Sequence, residues 1–396
     1  MKNDPATALV LSGGGARGAY QVGVLRGLLD LGVQPAGFDI LVGSSAGSIN
    51  AGVLASRAEN YAKAIDVLER LWRHLEADQV FRTDARSLGS TGVRWAWDLT
   101  FGGVLGRVTP KSLLDTAPLR RLLERHIPFR QIDANIEKEA LHSLVIAATD
   151  LHTADGVLFL QTRAEIALWK RRRWRIEPTR IRCDHLLASS AIPILFPSVR
   201  IDGRHFADGC IRNTSPLRPA IHLGADRIVA IGVSGPRQGA AAVPSALGPS
   251  IAQVAGVLLD AVMLDAIEVD VEHTDHVNTS VIACSTTSEN PFRWVDVLWL
   301  TPSADVSAMA AELEDRIPVV VRYLMRGLGT DESLTELASY LLFDSVYCNR
   351  LIDLGRADVA AARDRIASFF LQAPNRPATR TPASDDGKED DVPSRE

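Results

Sequence analysis

Val42-Gly43-Ser44-Ser45-Ala46-Gly47-Ser48 stands between a β-prone run, Phe38 to Val42, and a helix-prone run, Ile49 to Ser56. A serine held on a sharp strand-to-helix turn has strained backbone angles, so its neighbours must be small. Gly43 and Gly47 let the two arms of the chain pass close together, and Ala46 adds no bulk. Gly43-Ser44-Ser45-Ala46-Gly47 therefore fits the G-x-S-x-G nucleophile elbow. Ser45 would project its hydroxyl into open space at a helix N-terminus, where the dipole favours developing negative charge. It is the candidate nucleophile.

Upstream, Ala6 to Leu11 reads as a first strand and meets Ser12-Gly13-Gly14-Gly15-Ala16-Arg17-Gly18. A helix follows, with Val22, Leu25, Leu28 and Leu29 on one face and Gly32 closing it. Strand, glycine loop, helix and second strand make a βαβ unit, which implies a parallel sheet. Gly13-x-Gly15-x-x-Gly18 matches the dinucleotide fingerprint in spacing. That fingerprint wants an acidic residue at the far end of the second strand, where Val42-Gly43-Ser44-Ser45 stands instead; Asp39 lies near the strand's beginning. The favoured reading is an oxyanion hole of backbone N–H groups for the serine on the neighbouring strand.

The 396 residues suffice for one large domain or two. A net charge of -5 argues against a general nucleic-acid binder. Cys183, Cys210, Cys284 and Cys348 are scattered without a C-x-x-C pair, which fits neither a disulfide framework nor a zinc cage and suits a reducing compartment. The start lacks a signal-peptide layout, and the longest uncharged run, Gln238 to Leu259, is interrupted by Pro244 and Pro249. The expectation is a cytoplasmic protein without a transmembrane anchor. The sequence carries no indication of oligomeric state.

Further along, residues 57–78 read as an amphipathic helix, and residues 80–110 as an irregular stretch carrying Trp95, Trp97 and Phe101. That stretch is either a loop tucked onto the core or a lid. Leu113 to Ile127 reads as a helix; Leu141 to Thr149 and Gly156 to Gln161 read as paired strands. Trp169-Lys170-Arg171-Arg172-Arg173-Trp174-Arg175 is a solvated charge run or, alternatively, a peripheral contact with anionic lipid headgroups. Leu186 to Pro197 is a small-residue helix broken by prolines, and Val199 to Phe206 a hairpin turning at Asp202-Gly203 that delivers Asp208-Gly209. A helix and a buried strand fill residues 216–233. A long helix from Ser250 to about Glu272, strands at Val281–Cys284 and Val295–Leu300, and helices to Gln372 follow. From Ala373 the composition is that of a disordered tail.

Four blocks thus stand in order: Gly13 to Gly18, Gly43 to Gly47, Ala188-Ser189-Ser190-Ala191-Ile192-Pro193, and Asp208-Gly209. Together they resemble the patatin-like phospholipases, in particular the bacterial branch, over roughly residues 6–235. The resemblance implies an α/β fold, a three-layer α/β/α arrangement around a mostly parallel sheet; residues 236–372, beyond the matched blocks, read as a mainly helical C-terminal extension packed on that core. It implies a serine–aspartate dyad acyl hydrolase acting on a lipid or ester substrate, as phospholipase A, lysophospholipase or esterase. Ser45 would be the nucleophile, Asp208 the base, and the N–H groups around Gly14, Gly15 and Ala16 the oxyanion hole. Gly13, Arg17, Gly18, Gly43, Gly47 and Gly209 would support these motifs. No cofactor, metal or nucleic acid is implied.

Two positions depart from the family pattern. Ser12 stands where plant members usually have Asp, and Cys210 takes the third place of a motif that usually reads Asp-Gly-Gly or Asp-Gly-Ala. A free carboxylate is a weak base toward a serine hydroxyl, so Asp208 must gain basicity from a water-poor site or from its neighbours. Two alternatives remain. One is a Ser-Asp-His triad using His222, His273 or His276, although here the elbow follows only one strand. The other is a non-catalytic lipid-binding module of the same fold. His205, at an odd offset from Asp208 on an extended segment, would face away from it.

Overall fold

The computed structural model describes residues 6–33, 37–82, 112–164, 173–213, 215–236, 266–283, 292–318, 322 and 338–371. Trp95, Trp97, Phe101, Trp169 to Arg172, residues 250–265 and the tail from Ala373 lie outside the described residues.

Strand β1 (Thr7–Leu11) leads through a 3-10 turn (Gly15–Arg17) into helix α1 (Gly18–Asp30). Gly32, in the left-handed region at φ +69, ends that helix as the sequence suggests. Strand β2 (Ile40–Ser44) then passes into α2 (Ala46–Ala55), followed by α3 (Tyr61–Arg73), α4 (Ala117–His126) and α5 (Phe129–Glu137). Strands β3 (Ser143–Asp150), β4 (Gly156–Thr162) and β5 (Trp174–Pro178) precede α6 (Cys183–Ser189). The hairpin β6 (Val199–Ile201) and β7 (Arg204–Asp208) is next, with its turn at Asp202-Gly203 as expected. Helix α7 (Arg218–His222), β8 (Arg227–Ile231), α8 (Ala266–Ala283), β9 (Asp296–Leu300), α9 (Val306–Ala311), α10 (Ser345–Ala361) and α11 (Arg363–Leu371) follow.

The sheet runs β5-β4-β3-β2-β1-β8-β9, with the β6–β7 hairpin attached to β3. β3–β2–β1–β8–β9 are mutually parallel, so the expected mostly parallel sheet is present. Alternation along the buried strands sorts side chains onto two faces. Leu9, Leu11 and Leu41 join one core with α1, α2, α3, α6 and α10, whereas Ala8, Val10, Ile40 and Val42 join a second with α7 and α8. Helices on both faces make the three layers.

Three expectations change. Val281 is not in a strand: α8 runs through Ala283, and Cys284 lies outside the described residues. Ile267, Asp270, Thr274, Asn278 and Val281 are its buried residues, one helical face whose middle is polar. Asp270 accepts the Leu217 N–H at 2.8 Å and Asn278 donates to the Val295 carbonyl at 2.8 Å, which satisfies those groups and disguises the apolar period. Helix α4 begins at Ala117 rather than Leu113, because the Leu113 and Leu114 N–H groups donate at 2.9 Å to the Ile194 and Leu195 carbonyls. Trp174 and Arg175, the described end of the basic run, form β5, where Arg175 pairs with buried Asp150 at 2.6 Å.

Helix α10 packs along α1 at glycine-limited distance. A Cβ at Gly23 would overlap the Ile352 carbonyl, one at Gly27 would come 2.8 Å from Val359 Cβ, and one at Gly355 would meet the Tyr20 carbonyl at 2.5 Å. Tyr20 adds a hydrogen bond from its hydroxyl to Asp358 at 2.9 Å. Gly23→Ala should therefore force the helices apart despite its better helix propensity. Denaturant unfolding should show a loss of about 1–3 kcal/mol, the cost of overpacking. A variant as stable as the wild type would show that this crossing is loose.

Candidate active site

β2 and β7 share one edge of β3. Ser44 pairs with Ala147 and Asp208 with Ala148, while β4 lies along the other edge across 143–149. Where β2 turns away at Ser45, β7 takes over, so Ser45 and Asp208 meet end to end. Ser45 sits on the turn itself with φ +49 and ψ -125, a conformation that a non-glycine residue adopts only when its surroundings impose it. The small neighbours have the expected reason. A Cβ at Gly43 would lie 2.6 Å from the Gly47 carbonyl oxygen, and one at Gly47 would meet the Ser12 carbonyl oxygen at 2.5 Å.

The third block holds the elbow. The Ser45 N–H donates to Ser189 Oγ at 3.0 Å, and Ser190 Oγ donates to the Ser45 carbonyl at 3.2 Å. The Asp208 N–H donates to the Ala191 carbonyl at 2.9 Å, so the same short segment grips both residues. These roles were not legible from the sequence; the pair of serines was visible, but not what it bonds. Asn213, likewise unforeseen, donates to Ser44 Oγ at 2.8 Å.

Asp208 is fully buried. Its Oδ1 accepts the Cys210 N–H at 2.9 Å, and Oδ2 has no hydrogen-bond partner among the described residues. Burial pushes its carboxyl up to about 6, against the Ser45 hydroxyl, the Cys210 N–H and the Cys210 thiol, which favour the ionised form. The Ser45 hydroxyl thus lies close enough to act on the carboxylate, short of a closed hydrogen bond to Oδ2. Gly209 has to be glycine because a side chain there would overlap the Ala147 carbonyl. Cys210 fits the space beside the carboxylate and faces the glycine loop, since a Cβ on Gly13 would overlap its sulfur and lie 2.9 Å from Ser45 Cβ.

The loop after β1 reaches the elbow because β1 and β2 are parallel neighbours, with Leu11 opposite Gly43. Gly14 (φ +158) and Gly15 (φ +54) turn the chain into the 3-10 turn that opens α1. The first N–H groups of such a turn have no partner within the turn itself. Gly18 lets α1 approach α2, where an added Cβ would be 2.9 Å from Ala46 Cβ. Arg17 is buried and points away from Ser45's turn into hydroxyls of the C-terminal part, Ser339 among them. Asp39 accepts the Thr7 N–H at 2.9 Å at the opposite end of β2, away from the glycine loop.

An apolar cavity opens over Ser45; Gly15, Ile49, Trp72, Leu119 and Phe343 are among its walls. The histidines sit elsewhere. His205 meets Ser198 Oγ at 3.1 Å and stacks edge-on to His152, as its odd offset suggests. His222, His273 and His276 are exposed on α7 and α8, against the opposite face of the sheet. Among the described residues no three His, Cys, Asp or Glu side chains converge as metal ligands, and no helix is long and apolar enough to cross a membrane.

The family model described as patatin-like phospholipase matches residues 9–221. An uncharacterized NTE family protein of Mycobacterium tuberculosis is 26% identical over 241 residues, covering 60% of this chain and 52% of that protein. Patatin-like phospholipase domain-containing protein 7 of Rattus norvegicus is 27% identical over 228 residues, 58% of this chain and 14% of the rat protein. The match thus spans about half of the mycobacterial relative. Among solved structures, human GIVD cytosolic phospholipase A2, in complex with methyl gamma-linolenyl fluorophosphonate, aligns with 92% of this chain and 59% of its own, at 12% identity and a TM-score of 0.44. With the family match covering more than half of its length, including the elbow, the glycine loop and Asp208, the chain belongs to the patatin-like phospholipase family.

Proposed function

We propose that the protein is a serine acyl hydrolase that cleaves fatty-acyl ester bonds of lipids, with Ser45 as nucleophile and Asp208 as base. The observation that supports this most is a buried carboxylate with an open oxygen beside a strained serine that lines an apolar cavity. A binding module has no use for a carboxylate buried at such cost. An apolar cavity suits an acyl chain, which gains by leaving water.

The proposed cycle balances as follows. Ser45 Oγ attacks the ester carbonyl carbon while its proton passes to Asp208 Oδ2. The N–H groups of Gly14, Gly15 and Ala16 hold the oxyanion of the tetrahedral intermediate. Collapse breaks the carbon–oxygen bond, and the leaving alcohol takes the proton from Asp208. Water then attacks the acyl-enzyme and gives a proton to Asp208, the fatty acid departs, and the proton returns to Ser45. Asp208 acts without histidine, so its basicity must come from burial, which the site supplies.

Fluorophosphonate labelling and release of a short-chain nitrophenyl ester test the reading directly. Ser45→Ala should abolish both, and Asp208→Asn should cut turnover by about 10²–10⁴-fold, the usual worth of a general base. Labelling absent from the wild type would move the protein to the binding-module reading; dependence on a histidine would move it to the triad.

The base must be ionised, so kcat/KM should rise with pH through about 6 and then level. Cys210→Ala removes a group that favours the ionised carboxylate and should move that midpoint upward. An unchanged midpoint would take the thiol out of the site's electrostatics.

Because the folded-state value lies above the ordinary aspartate value, the folded state binds this proton more tightly, and stability falls as pH rises from about 4 to 6. A change of that size corresponds to roughly 3 kcal/mol. Asp208→Asn should therefore raise the melting temperature at about pH 8 and lose that advantage near pH 4. A melting temperature lowered equally at both pH values would contradict a destabilising buried charge.

A further inference from the structure

The segment Ala338–Phe343 lies well beyond residue 221, where the family match ends, yet it touches the glycine loop. A Cβ on Gly15 would overlap the carbonyl oxygen of Tyr340. Phe343 lines the cavity over Ser45 together with Gly15. Between these contacts lies Arg17, 1% exposed. Its Nε donates to Ser339 Oγ at 2.8 Å, Nη1 to the Tyr340 hydroxyl at 3.2 Å, and Nη2 to Ser307 Oγ at 2.8 Å and Ser339 Oγ at 2.5 Å. The guanidinium also lies 4.0 Å from the centroid of the Tyr340 ring. Planar, forked and always charged, an arginine held by several acceptors and a ring face has one orientation available.

We propose that Ser339, Tyr340 and Ser307 are positioning residues that fix the oxyanion-binding amides of the glycine loop through Arg17, so that the C-terminal segment completes the Ser45 site. The inference rests on the acyl-hydrolase reading for its catalytic consequence, though not for the contact itself.

The loop needs such an anchor. Gly14 and Gly15 give it the positive φ angles the turn requires, but glycine backbone holds no direction by itself. Arg17 is the last residue of the same 3-10 turn, and its N–H donates to the Gly14 carbonyl at 3.0 Å. Fixing the Arg17 side chain therefore fixes the turn whose first residue, Gly15, lines the cavity. The anchor is itself rigid. Asp344 caps α10 by accepting the Val346 and Tyr347 N–H groups and pairs with Arg316 at 2.8 Å. Tyr347 donates to the Val306 carbonyl at 3.0 Å, next to Ser307, and α10 is clamped on α1 through Gly23 and Gly355. Oxyanion donors act on charge that appears only in the transition state, so their misplacement lowers kcat and leaves substrate affinity alone.

Ser339→Ala, Ser339→Thr, Tyr340→Phe and Ser307→Ala, each in the full chain, separate positioning from simple structural support. Two readouts are needed: hydrogen exchange of the peptide covering Ser12 to Tyr20, and kcat and KM normalised to sites titrated with fluorophosphonate. Ser339→Ala should speed exchange in that peptide and lower titrated kcat roughly 10- to 100-fold, with KM within about twofold, the consequence expected of misplaced groups. Ser339→Thr, which keeps the hydroxyl, should restore both. Should Ser339→Ala fail to fold, Ser307→Ala removes one bond of the set and should show the same pattern more weakly. Unchanged titrated kcat, or a loss confined to the number of active sites, overturns the positioning role. If the wild type does not label, the acyl-hydrolase reading fails while exchange still decides the contact: faster exchange in Ser339→Ala supports the anchor, and unchanged exchange overturns it.

Discussion

The register of β3 governs the site. Ala147 faces Ser44 and Ala148 faces Asp208, so one strand edge receives β2 from one direction and β7 from the other. Two strands can share an edge from opposite directions only if both end where they meet. β2 must therefore leave the sheet abruptly, which demands the strained turn at Ser45 and the small residues around it. β7 must end within the same space, which demands glycine after Asp208, where no side chain clears the Ala147 carbonyl. The residue pattern of both motifs follows from a single packing constraint.

That arrangement has a cost in electrostatics. Asp208 is driven out of water without an arginine, lysine or histidine among the groups acting on it, and what offsets its burial is neutral: an N–H, a hydroxyl and a thiol. A cationic partner would stabilise the carboxylate more and make it a poorer base. The structure is stabilised elsewhere, by the two apolar cores on either face of the sheet and by the tight crossing of α1 and α10. Ser189, Ser190 and Ala191 carry the local load, gripping the backbones of Ser45 and Asp208 without adding charge near either.

Much of this was legible in the chain. Glycines at Gly15, Gly43, Gly47 and Gly209 record places where backbone passes close to backbone, and close approach is a local requirement that a sequence displays openly. The βαβ start, the hairpin turn at Asp202-Gly203 and the end of α1 at Gly32 were readable for the same reason. Features that depend on distant partners were not. The buried face of α8 carries Asp270, Thr274 and Asn278, polar residues satisfied by Leu217 and Val295 of other elements, so the Val281 end looked like a strand. The two serines of the third block were visible, but their bonds to Ser45 span about 145 residues of chain and leave no periodic trace. Arg17 shows the limit most clearly, since its partners Ser339 and Tyr340 are more than 320 residues away.

Local permissiveness and remote rigidity are thus two halves of one solution. Glycine lets the loop after β1 reach Ser45, yet the same freedom leaves its amides without a fixed direction. Side chains cannot be added within the loop to stiffen it, because Cys210, Val233 and Tyr340 already occupy the space a Cβ would need at Gly13, Gly14 and Gly15. Stiffness has to enter through the first residue that can carry a long side chain, and that residue is Arg17. Its guanidinium leads away from the crowded turn to hydroxyls mounted beside α9 and α10. The tight glycine crossing of α10 on α1 then acquires a second consequence beyond core packing. It holds the C-terminal hydroxyls beside the very helix that the glycine loop opens, closing a circuit of contacts around that loop.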